Sequence, residues 1–293
     1  MLAIPAPTFR GDLNKGTHMS ELTSLWPADR RITVRDLQEA TGRGDRWTLL
    51  TSYDALTAGI FERAGVRVLL VGDTSAQTVF GYSSTLPATM EMLIPLVQAV
   101  VRGTKTALVV ADLPFGSYQS GPQQALHSAT RYLKEGGAQA VKLEGGRRVL
   151  PQVAAMTAAG IPVMGHLGLT PQSINALGSY RARGRGGEAD VLLDDAIALE
   201  RAGAFAVVLE AVPASLGARI SDALAIPTIG VGGGPSCDAQ GMVWQDFAGL
   251  TTGRAPRFVR RYAQLAEILS RAAGDFVSDV ADSRYPGAEH SYA

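Results

Sequence analysis

Six ionisable residues in this chain stand where chemistry could be done: Asp73, Asp112, Lys142, Glu144, His166 and Glu210. Each closes or sits near the end of a short apolar run: Val68-Leu-Leu-Val-Gly-Asp73, Ala107-Leu-Val-Val-Ala-Asp112, Ala140-Val-Lys142-Leu-Glu144, Ile161-Pro-Val-Met-Gly-His166 and Phe205-Ala-Val-Val-Leu-Glu210. Asp73 and Asp112 leave neighbouring strands and Glu144 leaves the next. Their carboxylates are hard oxygen ligands, and with room left for substrate and water they suit Mg²⁺ better than zinc, which prefers His or Cys. Any one of these acids alone could equally be a cap or half of a buried ion pair; the set is harder to read that way. Lys142, two residues before Glu144, lies on the same face of its strand. There it stabilises a substrate anion or merely neutralises the acids. His166 is either a substrate hydrogen-bond partner or a satisfied core histidine.

Such residues meet at one place only if their strands are parallel. Continuous Val/Leu runs without polar alternation are the pattern of strands covered on both faces, and Pro114 forbids further ladder pairing just beyond Asp112. The chain then reads as strand, loop, helix in repetition. Strands are predicted over 47–52, 66–72, 107–113, 140–143, 162–165, 204–209, 227–231 and 242–244. Helices are predicted over 55–64, 90–101, 123–134, 150–159, 190–202 and 213–224, several of them stopped by Gly. An N-terminal helix from Thr33 to Thr41, capped by Thr33, is expected to pack across the mouth of the sheet at its N-terminal end. A long amphipathic pattern from Pro256 to Val280 predicts one or two C-terminal helices. Eight strands with helices between most of them select a closed (β/α)8 TIM barrel, whose active sites lie at the C-terminal ends of the strands. The loop from Asp73 to Thr89, rich in Ser, Thr and Gly, is long enough to expect a function.

Composition narrows the setting. The formal net charge is +0 and 18% of residues are charged, which gives no footprint for nucleic acid. The single cysteine, Cys237, excludes an intrachain disulfide and fits a reducing cytoplasm; as a nucleophile it lacks the accompanying His and Asn. No run is long and apolar enough for a membrane span of about 20 residues. Residues 1–18, which include a Gly-Thr-His-Met run and His18, read as a vector-derived leader, leaving 19–293 as a single barrel domain. Gly230-Val-Gly232-Gly233-Gly234-Pro235 lacks the spacing of a dinucleotide turn, so it is either an anion-binding mouth or a tight turn. The loop carrying Arg181, Arg183 and Arg185 is a solvated charge cluster or a site for an acidic substrate tail.

Val71-Gly-Asp73, Ser84-Thr-Leu-Pro87, Ala111-Asp112-Leu-Pro-Phe115, Val141-Lys142-Leu-Glu144-Gly-Gly146, Gly165-His166-Leu-Gly-Leu-Thr-Pro-Gln-Ser173 and Leu209-Glu210-Ala-Val-Pro213 resemble, in order, the motifs of the ketopantoate hydroxymethyltransferase family. The similarity extends from about Thr33 to Tyr285-Pro-Gly-Ala-Glu-His-Ser291. It implies a barrel of the phosphoenolpyruvate/pyruvate superfamily, usually a decamer, that moves a one-carbon unit from methylenetetrahydrofolate to 3-methyl-2-oxobutanoate. Position by position it implies Asp73 and Asp112 as Mg²⁺ ligands and Glu144 as an acid holding the ion through water. Thr74, Lys142 and His166, with Asp73 and Asp112, would contact the substrate, and Glu210 would be the general base. Arg181 and Arg183 are the candidates for the glutamate tail of folate. Thr74 stands where the family usually has serine, Gly233 where it usually has alanine, and Gly241 where a bulkier residue is common. Two rivals are a Mg²⁺-dependent 2-oxo-acid lyase or mutase of the same superfamily and a catalytically inactive binding subunit.

Overall fold

The computed structural model of the chain describes residues 26–251, 253 and 255–292; the leader and His18 lie outside them. Helix α1 (Val34–Gly42) begins as its sequence demands. The Thr33 hydroxyl accepts from the Asp36 N–H, and the Asp36 carboxylate accepts from the Thr33 N–H, satisfying two donors that the first turn would leave bare. The repeating units follow: β1 (Trp47–Thr51), α2 (Ala55–Arg63), β2 (Val68–Val71), α3 (Met90–Gly103), β3 (Leu108–Asp112), α4 (Pro122–Arg131), β4 (Ala140–Glu144), α5 (Leu150–Ala158), β5 (Val163–Gly168), α6 (Glu188–Arg201), β6 (Ala206–Glu210), α7 (Ala214–Ala223), β7 (Thr228–Val231) and β8 (Ala239–Met242). All neighbouring strands are parallel, and β1 pairs with both β2 and β8, so the barrel is closed.

The strands' two-residue period divides their apolar residues between two cores. Leu49, Val68, Leu70, Leu108, Val110, Met164 and Val208 fill the barrel with Leu37 and Ala40 of α1, which places that helix over the N-terminal end as expected. The alternate residues, among them Leu69, Val71, Val109, Val141, Leu143 and Val207, pack outward against the helices. Full burial of one such Val or Leu stabilises the fold by roughly 1.5–3 kcal/mol. Parity also aims the chemistry: Asp112 shares the inward face with Leu108 and Val110, as Lys142 and Glu144 do with Ala140. Register then aligns Asp112 with Lys142, Glu144 with His166, and Gly168 with Glu210.

Four predicted elements end differently. The eighth strand is Ala239–Met242 rather than 242–244, and Trp244–Phe247 is instead a helical turn. Gln240 faces solvent, so this strand lacks the apolar signature of the others. Within the loop after Asp73, Ser75–Thr78 winds a helical turn. The helix over 123–134 is α4 continued by a wide π-turn, Tyr132–Gly136. At the C-terminus, residues 256–264 form turns and a single helix, α8 (Leu265–Ala281), follows.

Candidate active site

The six ionisable residues do converge, around a cavity of about 50 Å³ at the C-terminal end of the barrel, which Thr74 also lines. Asp73, Asp112, Lys142, Glu144 and His166 are buried, whereas the Glu210 side chain is 21% exposed and forms the open side. Glu210 is brought close to β5 by Gly168. That residue has φ +93°, and a Cβ there would meet the Glu210 carbonyl oxygen at 2.2 Å, so no other residue type allows this approach.

Protein donors take one oxygen of each aspartate. The Lys142 ammonium donates to Asp112 Oδ2 at 2.6 Å, and the Asp73 N–H lies 3.5 Å from the same oxygen. The Gln172 side-chain amide donates to Asp73 Oδ2 at 2.9 Å. Asp112 Oδ1 is buried and accepts nothing among the described residues. Glu144 Oε2 accepts from the Gln172 backbone N–H at 3.0 Å. His166 stands between two acids, with Nδ1 3.6 Å from Glu144 Oε1 and Nε2 3.3 Å from Glu210 Oε2. Neither nitrogen has a hydrogen-bond partner among the described residues, so His166 is not a satisfied core histidine.

Four carboxylates here face one ammonium, and the surplus negative charge is visible in the acidities of Asp73 and Glu144. Burial, and then the Asp112 charge, push the Asp73 carboxyl up to about 7 against the pull of Lys142. Burial, and then Asp73, push Glu144 well above the ordinary carboxylate range. Burial would lower the Lys142 ammonium, but Asp112, Glu144 and Asp73 together raise it. Negative charge so crowded and so poorly solvated favours a bound cation. No three of the His, Cys, Asp and Glu side chains among the described residues gather as a ready-made metal cage. The carboxylates are nonetheless hard oxygen donors, of the kind that suits a hard cation.

These residues are held from behind by aromatic hydroxyls. Tyr132, at the start of the π-turn, donates to the Asp112 backbone carbonyl at 2.7 Å, and Tyr118 donates to Gln172 Oε1 at 2.7 Å. Tyr118, Tyr132 and Gln172 are functional candidates that sequence reasoning passed over, because they carry no charge. For Gln172 the available signal was its place in the Thr170-Pro-Gln-Ser173 stretch after His166.

The chain matches the sequence profile described as Ketopantoate hydroxymethyltransferase over residues 31–288. It is 62% identical over 267 residues to the 3-methyl-2-oxobutanoate hydroxymethyltransferase of Thermobifida fusca, covering 91% of this chain and 95% of that one. With the enzyme of the same name from Frankia alni the identity is 60% over 266 residues, covering 91% and 88%. This chain belongs to the ketopantoate hydroxymethyltransferase family. Among solved structures, phosphonopyruvate hydrolase in complex with oxalate and Mg²⁺ superposes with a TM-score of 0.58 at 14% identity, over 88% of this chain and 93% of that one. At that identity the likeness is one of fold, and a lyase or mutase reading has no more than the fold behind it.

Set against the ketopantoate hydroxymethyltransferase pattern, the departures have physical consequences. A Cβ on Gly241 would lie 3.0 Å from Val231 and 3.4 Å from Ile229 and Leu49, so a bulkier residue there requires the interior to shift. A Cβ on Gly233 would lie 2.9 Å from the Leu209 carbonyl oxygen and 3.2 Å from Cys237 Sγ, and its neighbours Gly232 and Gly234 have φ +74° and +93°. That segment is a tight turn with close backbone approach. In the basic loop, Arg183 is paired with Glu188, while Arg181 and Arg185 are exposed.

Proposed function

We propose that this chain transfers the one-carbon unit of methylenetetrahydrofolate to 3-methyl-2-oxobutanoate, giving ketopantoate, as a Mg²⁺-dependent enzyme of pantothenate biosynthesis that works in the cytoplasm as a homo-oligomer. The observation that carries the reading is the pair Asp73 and Asp112, each with one oxygen tied to the protein and the other left over, facing Glu210 across a small cavity. Asp73 and Asp112 would hold the ion and Glu144 would reach it through water. Bound there, Mg²⁺ supplies Lewis acidity toward a 2-oxo acid, whose carboxylate and keto oxygen form a natural chelate.

The remaining steps fall to the chain's own groups. Lys142 sits beside Asp112 and offers positive charge to the substrate's oxygens. Glu210 takes the proton from the third carbon of the oxo acid: the C–H bond breaks, an O–H bond forms on its carboxylate, and the electron pair stays with the substrate. His166, whose two ring nitrogens have no hydrogen-bond partner among the described residues, offers one to the substrate. The carbon so activated attacks the methylene carbon of the folate, and over the whole transfer both C–N bonds to that carbon break: it gains the bond to the oxo acid and an oxygen from water, while the two folate nitrogens keep the electron pairs and take up one proton from the oxo acid, by way of Glu210, and one from the water. Thr74, lining the cavity, narrows it by one methyl relative to serine and keeps a hydroxyl for the substrate. Incubation of the protein with 3-methyl-2-oxobutanoate and Mg²⁺ in deuterated water, without folate, tests the reading. Deuterium should appear at the third carbon; no exchange in a protein that completes the full reaction would mean that proton removal does not precede transfer.

A further inference from the structure

Gln172 follows β5 in a single turn, Pro171–Ser173, and is buried. It contacts two of the acids at once. Its side-chain nitrogen donates to Asp73 Oδ2 and to the Leu113 carbonyl, both at 2.9 Å. Its backbone N–H donates to Glu144, and its side-chain oxygen accepts from Tyr118.

We infer that Gln172 is a positioning residue of the cation site, whose amide, held in one sense by Tyr118, occupies Asp73 Oδ2 and so leaves Oδ1 as the coordinating atom. This rests on the reading of Asp73 and Asp112 as the cation-holding pair. The sense of an amide is decided by its partners, because its two ends have the same shape and opposite hydrogen-bonding character. Turned over, Gln172 would set its oxygen against Asp73 Oδ2 and the Leu113 carbonyl, leaving three acceptors facing one another without a proton. The Tyr118 hydroxyl, which also lies 3.1 Å from the Glu144 carbonyl, would lose its acceptor on Gln172. In the observed sense both amide hydrogens and the oxygen are used. Without the amide, Asp73 is free to turn toward the Lys142 ammonium, which already serves Asp112 at 2.6 Å. The two aspartates would then compete for one cationic group and no longer present a free oxygen each.

The test compares Mn²⁺ binding, measured by electron paramagnetic resonance without substrate, in the wild type, Gln172→Met and Tyr118→Phe. Methionine keeps the length and apolar bulk of the side chain and removes the amide. Loss of a hydrogen-bonding partner behind a ligand typically weakens metal affinity by about 10–100-fold, and Gln172→Met should fall in that range. The Mg²⁺ concentration for half-maximal activity should rise in parallel, while kcat at saturating Mg²⁺ returns toward the wild-type value. A role confined to structure would lower the melting temperature of the ion-free protein and leave Mn²⁺ affinity alone. Wild-type affinity in a folded Gln172→Met overturns the proposal while sparing the cation reading; failure of the wild type to bind Mn²⁺ overturns both. Should Gln172→Met not fold, Tyr118→Phe decides. It removes one hydroxyl, and a several-fold loss of Mn²⁺ affinity is expected where unchanged affinity would refute the idea.

Discussion

At the scale of single residues, Glu210 differs from the other acids in two ways. It is the only one of the four that opens to solvent, and it lies two strands beyond Glu144, across from the aspartates rather than among them. Glu210→Gln keeps the shape and removes the base. Loss of a general base lowers rates by about a hundredfold to ten-thousandfold. Deuterium exchange and product formation should fall together by that factor, with Mn²⁺ affinity near wild type. Exchange at wild-type rate with transfer lost would move the proton to another group. The residue after it, Ala211, has φ +49°, a conformation that non-glycine residues adopt rarely. Its N–H donates to the Val231 carbonyl at 2.9 Å and its carbonyl accepts from the Arg183 N–H at 2.9 Å, so pairing with β7 and with the basic loop fixes the backbone that carries Glu210.

At the scale of elements, two connections make distinct predictions. The loop after β5 carries the exposed Arg181 and Arg185, and Arg183 is already occupied by Glu188. If the two exposed arginines meet the folate glutamate tail, replacing both with alanine should raise the folate KM several-fold and leave that of the oxo acid unchanged. The difference should shrink at high salt, where exposed charges are screened. Equal changes for both substrates would return the loop to a solvated surface. The second connection is Glu62 of α2, whose carboxylate accepts the N–H groups of Lys105, Thr106 and Ala107 at 2.6–3.1 Å and ties the helix to the segment entering β3. Burial pushes this carboxyl up, but the backbone donors of Ala107, Thr106 and Lys105 outweigh it and the net shift is downward. A carboxyl depressed in the folded state contributes stability that is present above its unfolded pKa, about 4.3 for glutamate, and is lost as pH falls through its folded value. Glu62→Gln should therefore unfold at lower urea than wild type at pH 7, by about 1 kcal/mol. That gap should close in acid below the glutamate range, and a gap independent of pH would mean that the charge plays no part.

At the scale of the whole molecule, α8 stands apart. None of its residues is buried, and Leu269, Phe276, Val277 and Val280 are each at least half exposed. An apolar stripe of this length left in water marks an interaction surface. If the proposed homo-oligomer covers α8, Leu269→Glu with Phe276→Glu should shift the species seen by sedimentation toward the monomer while leaving the barrel's circular dichroism intact. A wild-type monomer at micromolar concentration would contradict this. Among the described residues no helix is long and apolar enough to cross a membrane.

The sequence by itself determined what depends on neighbours along the chain. Apolar runs fixed the strands, their two-residue period put Asp112, Lys142 and Glu144 on the inward face, and Thr33 with Asp36 started α1. Eight such units leave a closed barrel as the economical arrangement, and carboxylates at the strand ends then meet at one mouth. Tertiary structure decided what depends on register across long separations. β8 escaped correct placement because Ala239-Gln-Gly-Met242 has one solvent-facing polar residue and no side chain at Gly241, so its identity as a strand comes from pairing with β1 and β7. Gln172 lies 99 residues from Asp73 and 54 from Tyr118, and three neutral or common residue types at those separations carry no local signal. Which oxygen of each aspartate is tied and which is left over follows from the position of the side-chain donor that reaches it, Lys142 for Asp112 and Gln172 for Asp73. That position exists only once β2, β3, β4 and the turn after β5 are packed together.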